Sequence, residues 1–169
     1  MSALYPNHYC ESVYQLEPSA LEALGVRLLL ADLDNTLAAY SDQAAAPRLR
    51  QWKDELEGRG IRLFLVSNSR KPGRAKRFAD SLGIPWIGRA GKPSRKGFVR
   101  AMEEAGCGPE ETAMVGDQIF TDILGGNRAG VTTILVHPVS LDNAFRRLRF
   151  RLETPFRRRG VPLGREGRL

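Results

Sequence analysis

Residues 28–37 read Leu28-Leu29-Leu30-Ala31-Asp32-Leu33-Asp34-Asn35-Thr36-Leu37, an apolar run that ends in two carboxylates one residue apart. The apolar residues 26–31 predict a strand that is buried on both faces, as in a parallel sheet. Asp32 and Asp34 follow at the strand end, the edge where open α/β sheets bind ligands. Carboxylates so close repel each other unless a cation lies between them, and a hard divalent ion suits oxygen ligands. This stretch alone leaves an alternative open, an acidic turn that only caps the chain.

The pattern of an apolar strand followed by a helix recurs along the chain. Four further apolar segments predict strands, at residues 61–66, 85–88, 112–115 and 132–136. Helices are predicted after the first four strands, with proline or glycine marking several of their ends, at residues 47–56, 72–82, 94–105 and 120–128. Because single helices alternate with strands, the sequence predicts an α/β, three-layer Rossmann-like fold with a five-stranded parallel sheet.

The bulk composition is that of one ordinary globular domain. The chain has 169 residues, of which 42% are hydrophobic and 27% are charged. Its two cysteines show neither a metal-site spacing nor a disulfide framework. Because no apolar run approaches the ~20 residues of a membrane span and residues 1–17 lack a signal pattern, we expect a cytoplasmic protein. Near the start, Tyr9, Val13 and Leu16 are spaced as one face of a short helix, and residues 18–24 predict another.

The net charge of +7 lies in the C-terminal segment. Residues 145–169 contain nine arginines and two glutamates, so residues 1–144, predicted to be one domain without a large cap, sum to zero. Four apolar residues recur in this segment at nearly helical spacing, namely Phe145, Leu148, Leu152 and Phe156, and Pro155 predicts the end of that helix. A basic amphipathic helix can bind anionic lipid, here at the inner membrane face, or nucleic acid. The alternative is a helix packed on the core, with a disordered arginine tail from residue 157 in either case.

Polar residues follow the predicted strands at one edge of the sheet. Ser67-Asn68 follows the second strand, Lys92 lies in the loop after the third, and Asp117 follows the fourth, with Asp122 in the next helix. Each has an ordinary alternative role: Ser67 as a cap, Lys92 as a surface lysine that Lys96 could replace, Asp117 as a turn residue and Asp122 as a partner for Arg128. Their joint position at the carboxyl ends of parallel strands favours a binding site.

The residue types at this edge predict phosphoryl transfer. Asp32 and Asp117, from different strands, can hold a magnesium ion. The hydroxyl of Ser67, the backbone amide of Asn68 and the charge of Lys92 can bind phosphate oxygens. One carboxylate can then act as nucleophile and form an aspartyl-phosphate, and another as general acid and base.

Segments of the chain resemble, in order, the four motifs of the haloacid-dehalogenase-like hydrolase superfamily. The first three are Asp32-Leu33-Asp34-Asn35-Thr36, Ser67-Asn68 and Lys92-Pro93, and the fourth consists of Gly116-Asp117-Gln118 with Thr121-Asp122. The match covers nearly the whole of residues 26–136. Residues 115–122 and 125–128 are similar to the YqeG-type subfamily, which is related to phosphatidylglycerophosphate phosphatases. A receiver domain also carries acidic residues, a hydroxyl and a lysine, but its acidic pair lies on a different strand from its phosphorylated aspartate.

The resemblance implies a role for each residue. Asp32 would be the nucleophile, and Asp34 the acid and base, with its main-chain carbonyl as a magnesium ligand. Ser67, Asn68 and Lys92 would bind the phosphoryl group, and Asp117 would bind magnesium. Three further residues would hold the catalytic and metal-binding residues in place, namely Thr36, Gln118 and Asp122. Carbon–halogen members of the superfamily lack the second aspartate, so its presence implies phosphate esters.

The spacing between motifs leaves no room for an inserted lid domain, which predicts an open site. An open site cannot enclose a small metabolite, but it accepts a phosphate on a larger molecule. With the resemblance and the basic tail, this favours phosphatidylglycerophosphate, an anionic phospholipid headgroup, as the substrate. The alternatives are a phosphatase for nucleic-acid ends or phosphoproteins, and a non-catalytic module that binds RNA or a partner through the tail.

Overall fold

The computed structural model describes residues 3–71, 73–157 and 159–163. These residues form one parallel sheet of seven strands, in the order β4-β3-β2-β5-β6-β1-β7. The strands are β1 (His8–Cys10), β2 (Leu28–Ala31), β3 (Arg62–Val66), β4 (Trp86–Ile87), β5 (Thr112–Gly116), β6 (Thr132–Val136) and β7 (Val161–Pro162). The predicted α/β fold is confirmed. The predicted count of five strands is wrong, because β1 and β7 extend the sheet beyond β6.

The helices cover both faces of the sheet. They are α1 (Pro18–Ala23), α2 (Pro47–Glu57), α3 (Arg74–Leu82), α4 (Lys96–Ala105), α5 (Leu124–Ala129) and α6 (Ala144–Arg157). Leu29 and Ala31 of β2 pack with α1, α2 and α3, whereas Leu28 and Leu30 pack on the other face with α4. Successive side chains of a strand point to opposite faces, so a continuous apolar run is what a strand between two helical layers requires.

The N-terminal segment differs from the prediction. Residues 8–10 form β1 rather than a helix with Val13 and Leu16, and a short 3₁₀ turn follows at Val13–Gln15. Cross-strand contacts decide this, since β1 pairs with both β6 and β7. The Asn7 side chain accepts a hydrogen bond from the backbone N–H of Thr133 at 2.8 Å and sets the register. Only three residues showed the helical spacing, and so short a pattern cannot reveal that the segment pairs with a strand more than 120 residues away.

The C-terminal segment also differs. Helix α6 continues through Pro155 to Arg157, because a proline in the last turn removes only one intrahelical donor and Arg157 is anchored by hydrogen bonds to the body of the fold. Phe156 packs against Tyr5 and Phe120 instead of joining the exposed apolar row. Residues 161–162 form β7 where disorder was predicted from residue 157, and residues 164–169 lie outside the described residues.

Single helices connect the strands around the site. Within the described residues, α2 alone lies between β2 and β3, and α3 alone lies between β3 and β4. The predicted absence of a large cap domain therefore holds at both positions. Across the described parts of the chain, no helix has the length and apolar character needed to cross a bilayer.

Candidate active site

The carboxyl ends of three neighbouring strands, β3, β2 and β5, bring Ser67, Asp32 and Asp117 together. In the sheet, Ala31 of β2 lies opposite Leu65 of β3 and opposite Val115 of β5. The residues that follow therefore emerge side by side, and the N–H of Asp32 still donates to the carbonyl of Val115 at 3.0 Å. After Asp34, Asn35 adopts a left-handed conformation with φ of 68°, which asparagine tolerates better than most residues. This turn directs the chain away from the sheet edge.

Lys92 lies at the centre of the cluster. Its Nζ is 2.7 Å from Oδ1 of Asp32 and 2.7 Å from Oδ1 of Asp122, and it also donates to the carbonyl of Val66 at 2.8 Å. Lys92 is buried, whereas Lys96, the alternative lysine, is exposed on α4. The structure therefore brings Lys92 and not Lys96 to the carboxylates.

Asn68 positions this lysine through its side chain. Its Nδ2 donates to the carbonyl of Lys92 and its Oδ1 accepts from the N–H of Lys92, both at 2.9 Å. Its side-chain amide thus holds the Lys92 backbone, and the backbone N–H of Asn68 remains for the predicted phosphate contact. Ser67 is buried beside it, and its Oγ accepts from the N–H of Ser69 at 3.0 Å. The hydroxyl proton of Ser67 is not used in that bond and can be donated to a phosphate oxygen.

Asp122 approaches the backbone of β5 at a glycine. A Cβ on Gly116 would lie 2.3 Å from Oδ2 of Asp122, so only glycine fits there. Asp122 lies in a π-helical turn, Ile119–Ile123, and its Oδ2 accepts from the N–H of Gln118 at 3.2 Å. Single π turns of this kind are frequent at functional sites. The predicted helix over residues 120–128 is therefore a π turn followed by the short helix α5.

Three carboxylates converge on one point. Oxygen atoms of Asp32, Asp117 and Asp122 all lie within 4.8 Å of one another, and all three residues are buried. Oδ2 of Asp32 has no hydrogen-bond partner among the described residues. Thr36 donates a long hydrogen bond, 3.5 Å, to Oδ1 of Asp117. Three buried carboxylates beside a single buried lysine form a set of oxygen donors that fits a divalent cation.

Burial and mutual repulsion shift the titration of this cluster. Burial raises the pKa of Asp32 to about 7, and Lys92 only partly offsets this effect. Burial, together with the charges of Asp122 and Asp32, raises the pKa of Asp117 well above its usual value. Burial alone would lower the pKa of Lys92, but the charges of Asp122 and Asp32 outweigh it and raise the pKa overall. The lysine stays charged, and the carboxylates need additional positive charge to ionise together.

The side chain of Asp34 lies apart from the three clustered carboxylates, although it lines the same cleft. Its side chain is held by Arg74, whose Nε donates to Oδ1 at 2.8 Å. Arg74 is itself buried and also donates to the carbonyl of Ala39 at 2.9 Å and to that of Asp42. The side chain of Asp34 is thus not brought to the three carboxylates, which leaves only its main-chain carbonyl for the metal contact that the resemblance implies. Sequence analysis missed Arg74, since an arginine in the first turn of a helix carries no signal of its own.

Helix α6 supplies a wall of the site that sequence analysis also missed. The guanidinium of Arg157 donates to the carbonyl of Asp117 and pairs with the buried carboxylate of Glu153 at 3.0 Å. One face of the helix lies over the cleft, and Arg149 approaches Oδ2 of Asp117 to 3.9 Å. The cleft has a volume of about 510 Å³. Its walls include Asp32, Asp34, Asn68, Gln118 and Arg149.

A family comparison agrees with this geometry. The model of the haloacid dehalogenase-like hydrolase family matches residues 7–130, which hold all the residues of the cluster. The chain belongs to the haloacid dehalogenase-like hydrolases. It is 39% identical over 140 residues to the probable phosphatase YqeG of Bacillus subtilis, a match that covers 83% of this chain and 81% of that protein. The protein is accordingly a phosphatase of this family and acts on phosphate esters.

Two further comparisons extend the picture. The chain is 32% identical over 147 residues to the chloroplastic phosphatidylglycerophosphate phosphatase 1 of Chlamydomonas reinhardtii. This match covers 82% of this chain but only 55% of that protein. A cobalt-bound deoxy-D-mannose-octulosonate 8-phosphate phosphatase from Haemophilus influenzae shares the fold, with a TM-score of 0.51 at 19% identity. That match covers 82% of this chain and 91% of the other.

Proposed function

We propose that this phosphatase depends on Mg²⁺, forms an aspartyl-phosphate on Asp32 and hydrolyses phosphatidylglycerophosphate to phosphatidylglycerol. The observation that carries the chemical part is the asymmetry of the Asp32 carboxylate. Lys92 holds Oδ1, whereas Oδ2 is buried and has no hydrogen-bond partner among the described residues. One oxygen is thus oriented and the other is left for nucleophilic attack.

The reaction follows two displacements on phosphorus. Oδ2 of Asp32 attacks, the bond from phosphorus to the ester oxygen breaks, and Asp34, which must be protonated for this step, gives its proton to the departing alcohol. Water then attacks the phosphorus of phospho-Asp32, Asp34 takes up the proton, and inorganic phosphate leaves with Asp32 restored. The Ser67 hydroxyl, the Asn68 N–H and the Lys92 ammonium hold the phosphoryl oxygens through both steps.

A magnesium ion would neutralise charge on the phosphoryl group and on the acidic cluster. Its ligands would be carboxylate oxygens of Asp32 and Asp117 and the main-chain carbonyl of Asp34. Asp122 supports the site from behind by fixing Lys92 at 2.7 Å. Thr36 and Gln118 also support the site. The Thr36 hydroxyl donates a hydrogen bond to Asp117, and the N–H of Gln118 donates one to Asp122. The chain's own oxygen donors suit magnesium better than a softer ion.

The choice of a lipid substrate is supported by the helix beside the cleft. Phe145, Leu148 and Leu152 of α6 are 72%, 57% and 59% exposed, and Phe145 also lines the cleft mouth. Arg147 and Arg151 are exposed on the same helix. An apolar row flanked by arginines suits the inner face of an anionic membrane, where each basic residue contributes ~1 kcal/mol. The activity named for the Chlamydomonas protein supplies the specific headgroup.

The decisive experiment measures phosphate release from phosphatidylglycerophosphate in vesicles, with Mg²⁺ and with chelator. An aryl phosphate is assayed in parallel, and Asp32→Asn is compared with Asp80→Asn, an exposed carboxylate on α3. We expect release that requires Mg²⁺ and Asp32, is faster on the lipid, and persists in Asp80→Asn. Turnover of the aryl ester alone would exclude the lipid as substrate and favour the alternative substrates, nucleic-acid ends and phosphoproteins. No turnover of either, together with tight RNA binding, would favour a binding module.

Membrane contact is tested separately by sedimentation with vesicles. We expect Leu148→Ser to weaken binding to anionic vesicles, and Leu24→Ser, directly after α1 and 39% exposed, to leave it unchanged. Equal binding by both variants would argue against docking through α6.

A further inference from the structure

The mouth of the active-site cleft is more basic than one phosphate requires. Four cations line it, namely Arg70, Lys71, Arg146 and Arg149. At the base, Lys92 and the divalent ion of the proposed function would together balance the charges of the three clustered carboxylates, and Asp34 is paired with Arg74. A phosphomonoester dianion bound at that base would therefore match only half of the positive charge at the mouth.

Two of these cations are held at one aromatic ring. The Cζ of Arg146 lies 4.6 Å from the ring centroid of Tyr40, and the Nζ of Lys71 lies 5.0 Å from the same centroid. Arg146 comes from α6 and Lys71 from the loop after β3, so two distant segments of the chain meet at this ring. Cation–π contacts fix the position of a cation without neutralising it. Both cations therefore remain able to bind an anion.

The other contacts of these cations are long, exposed or absent, and Arg149 comes no closer than 3.9 Å to Oδ2 of Asp117. Among the described residues, Lys71 and Arg70 have no carboxylate within ion-pair distance. Arg146 pairs with Asp142, whose side chain is 59% exposed, and such surface pairs contribute little. By contrast, the side chain of Arg146 is only 14% exposed. An ordered, nearly buried guanidinium with an exchangeable partner is well suited to bind an anionic group of a ligand.

We propose that Lys71 and Arg146, joined by Arg149 deeper in the cleft, form a second anion subsite. It would bind a negative group carried by the alcohol part of the substrate, such as a phosphodiester or a carboxylate. The substrate class is thus a phosphomonoester with a second anion a few bonds away. This inference rests on the proposed function, since it defines which ester the Asp32 centre receives. It concerns charge alone and applies equally to a lipid headgroup and to a water-soluble ester.

The test uses two soluble esters, one without and one with a second anionic group. One is 3-hydroxypropyl phosphate, and the other is the same ester with a methyl phosphodiester on its terminal hydroxyl. We expect the wild-type kcat/KM to favour the second ester at least tenfold. Lys71→Gln and Arg146→Gln should each reduce that preference about five- to tenfold, the worth of one charge-assisted contact. Arg77→Gln, an exposed arginine on α3, should keep it.

A binding measurement separates this subsite from the catalytic proposal. In Asp32→Asn protein, calorimetry with the two-anion ester should show binding that Lys71→Gln or Arg146→Gln weakens by a similar factor. Binding of this kind without turnover in wild type would overturn the proposed chemistry and retain the subsite. Equal kcat/KM for the two esters in wild type, or a preference that both variants retain, would overturn the subsite. Because Lys71 is exposed, its variant serves even if Arg146→Gln fails to fold.

Discussion

The base and the mouth of the active-site cleft are built in different ways. The base consists of Asp32, Lys92, Asp117 and Asp122, which lie at or just beyond strand ends and are fixed by buried ion pairs. The mouth consists of Tyr40, Lys71 and one face of α6, held by cation–π contacts and exposed pairs. Buried charges lose far more when a partner is removed than exposed ones do. The base should therefore be intolerant of change, whereas the mouth can vary.

The largest effect is expected at the centre of the base. Lys92→Met removes the cation that two buried carboxylates share, so we expect a loss of roughly 3–5 kcal/mol in unfolding free energy and loss of turnover. Lys96→Met, four residues away and exposed, should change stability by less than about 0.5 kcal/mol. Urea unfolding of both variants measures the difference. Similar stabilities would mean that the base is not held together by its charges.

The junction of base and mouth is tested at the end of α6. Arg157→Met leaves the carboxylate of Glu153 buried without its partner, for which we expect a loss of about 3 kcal/mol. Arg151→Met on the exposed side of the same helix serves as the control and should be nearly neutral. Thermal unfolding and far-UV circular dichroism would follow both. If Arg151→Met destabilised the protein as much, the anchoring role of Arg157 would be contradicted.

A smaller effect is expected from a change of geometry without a change of charge. Gly116→Ala places a Cβ 2.3 Å from Oδ2 of Asp122, and a displacement near 1 Å in an active site costs about 10²-fold in kcat. Gly58→Ala, where the nearest atom is 3.4 Å from the new Cβ and φ is negative, is the matched control and should retain full activity. An active Gly116→Ala enzyme would show that the position of Asp122 is not critical.

The pH dependence of stability tests the charge balance of the base without any substitution. Burial raises the pKa of Asp32 to about 7 and raises that of Asp117, so the metal-free folded protein binds more protons than the unfolded chain above about pH 4. Its stability should therefore fall as pH rises from about 4 towards 7, by up to about 1.4 kcal/mol per pH unit for each carboxyl. Mg²⁺ should flatten this slope, and Asp32→Asn should reduce it. A metal-free stability that increased over this range would contradict the prediction.

The sequence by itself specified the fold class and the inner residues of the site. Continuous apolar runs such as residues 28–31 require burial on both faces, and polar residues that end such strands must meet at one edge. That argument brought Asp32, Asp34, Ser67 and Asp117 to the same edge, and the motif resemblance gave each of them a role. Lys92 could not be separated from Lys96 in this way, because only burial tells which lysine can reach the carboxylates.

Only the tertiary structure decided the outer half of the cleft. β1 is a strand because β6 and β7 offer it backbone partners, and α6 passes Pro155 because Arg157 bonds to Asp117 and Val136. Arg74, Arg146 and Tyr40 gain their positions from contacts between segments 30 to more than 100 residues apart. Periodicity and motif spacing record local preferences and burial, whereas long-range pairing of single polar side chains leaves no period in the sequence.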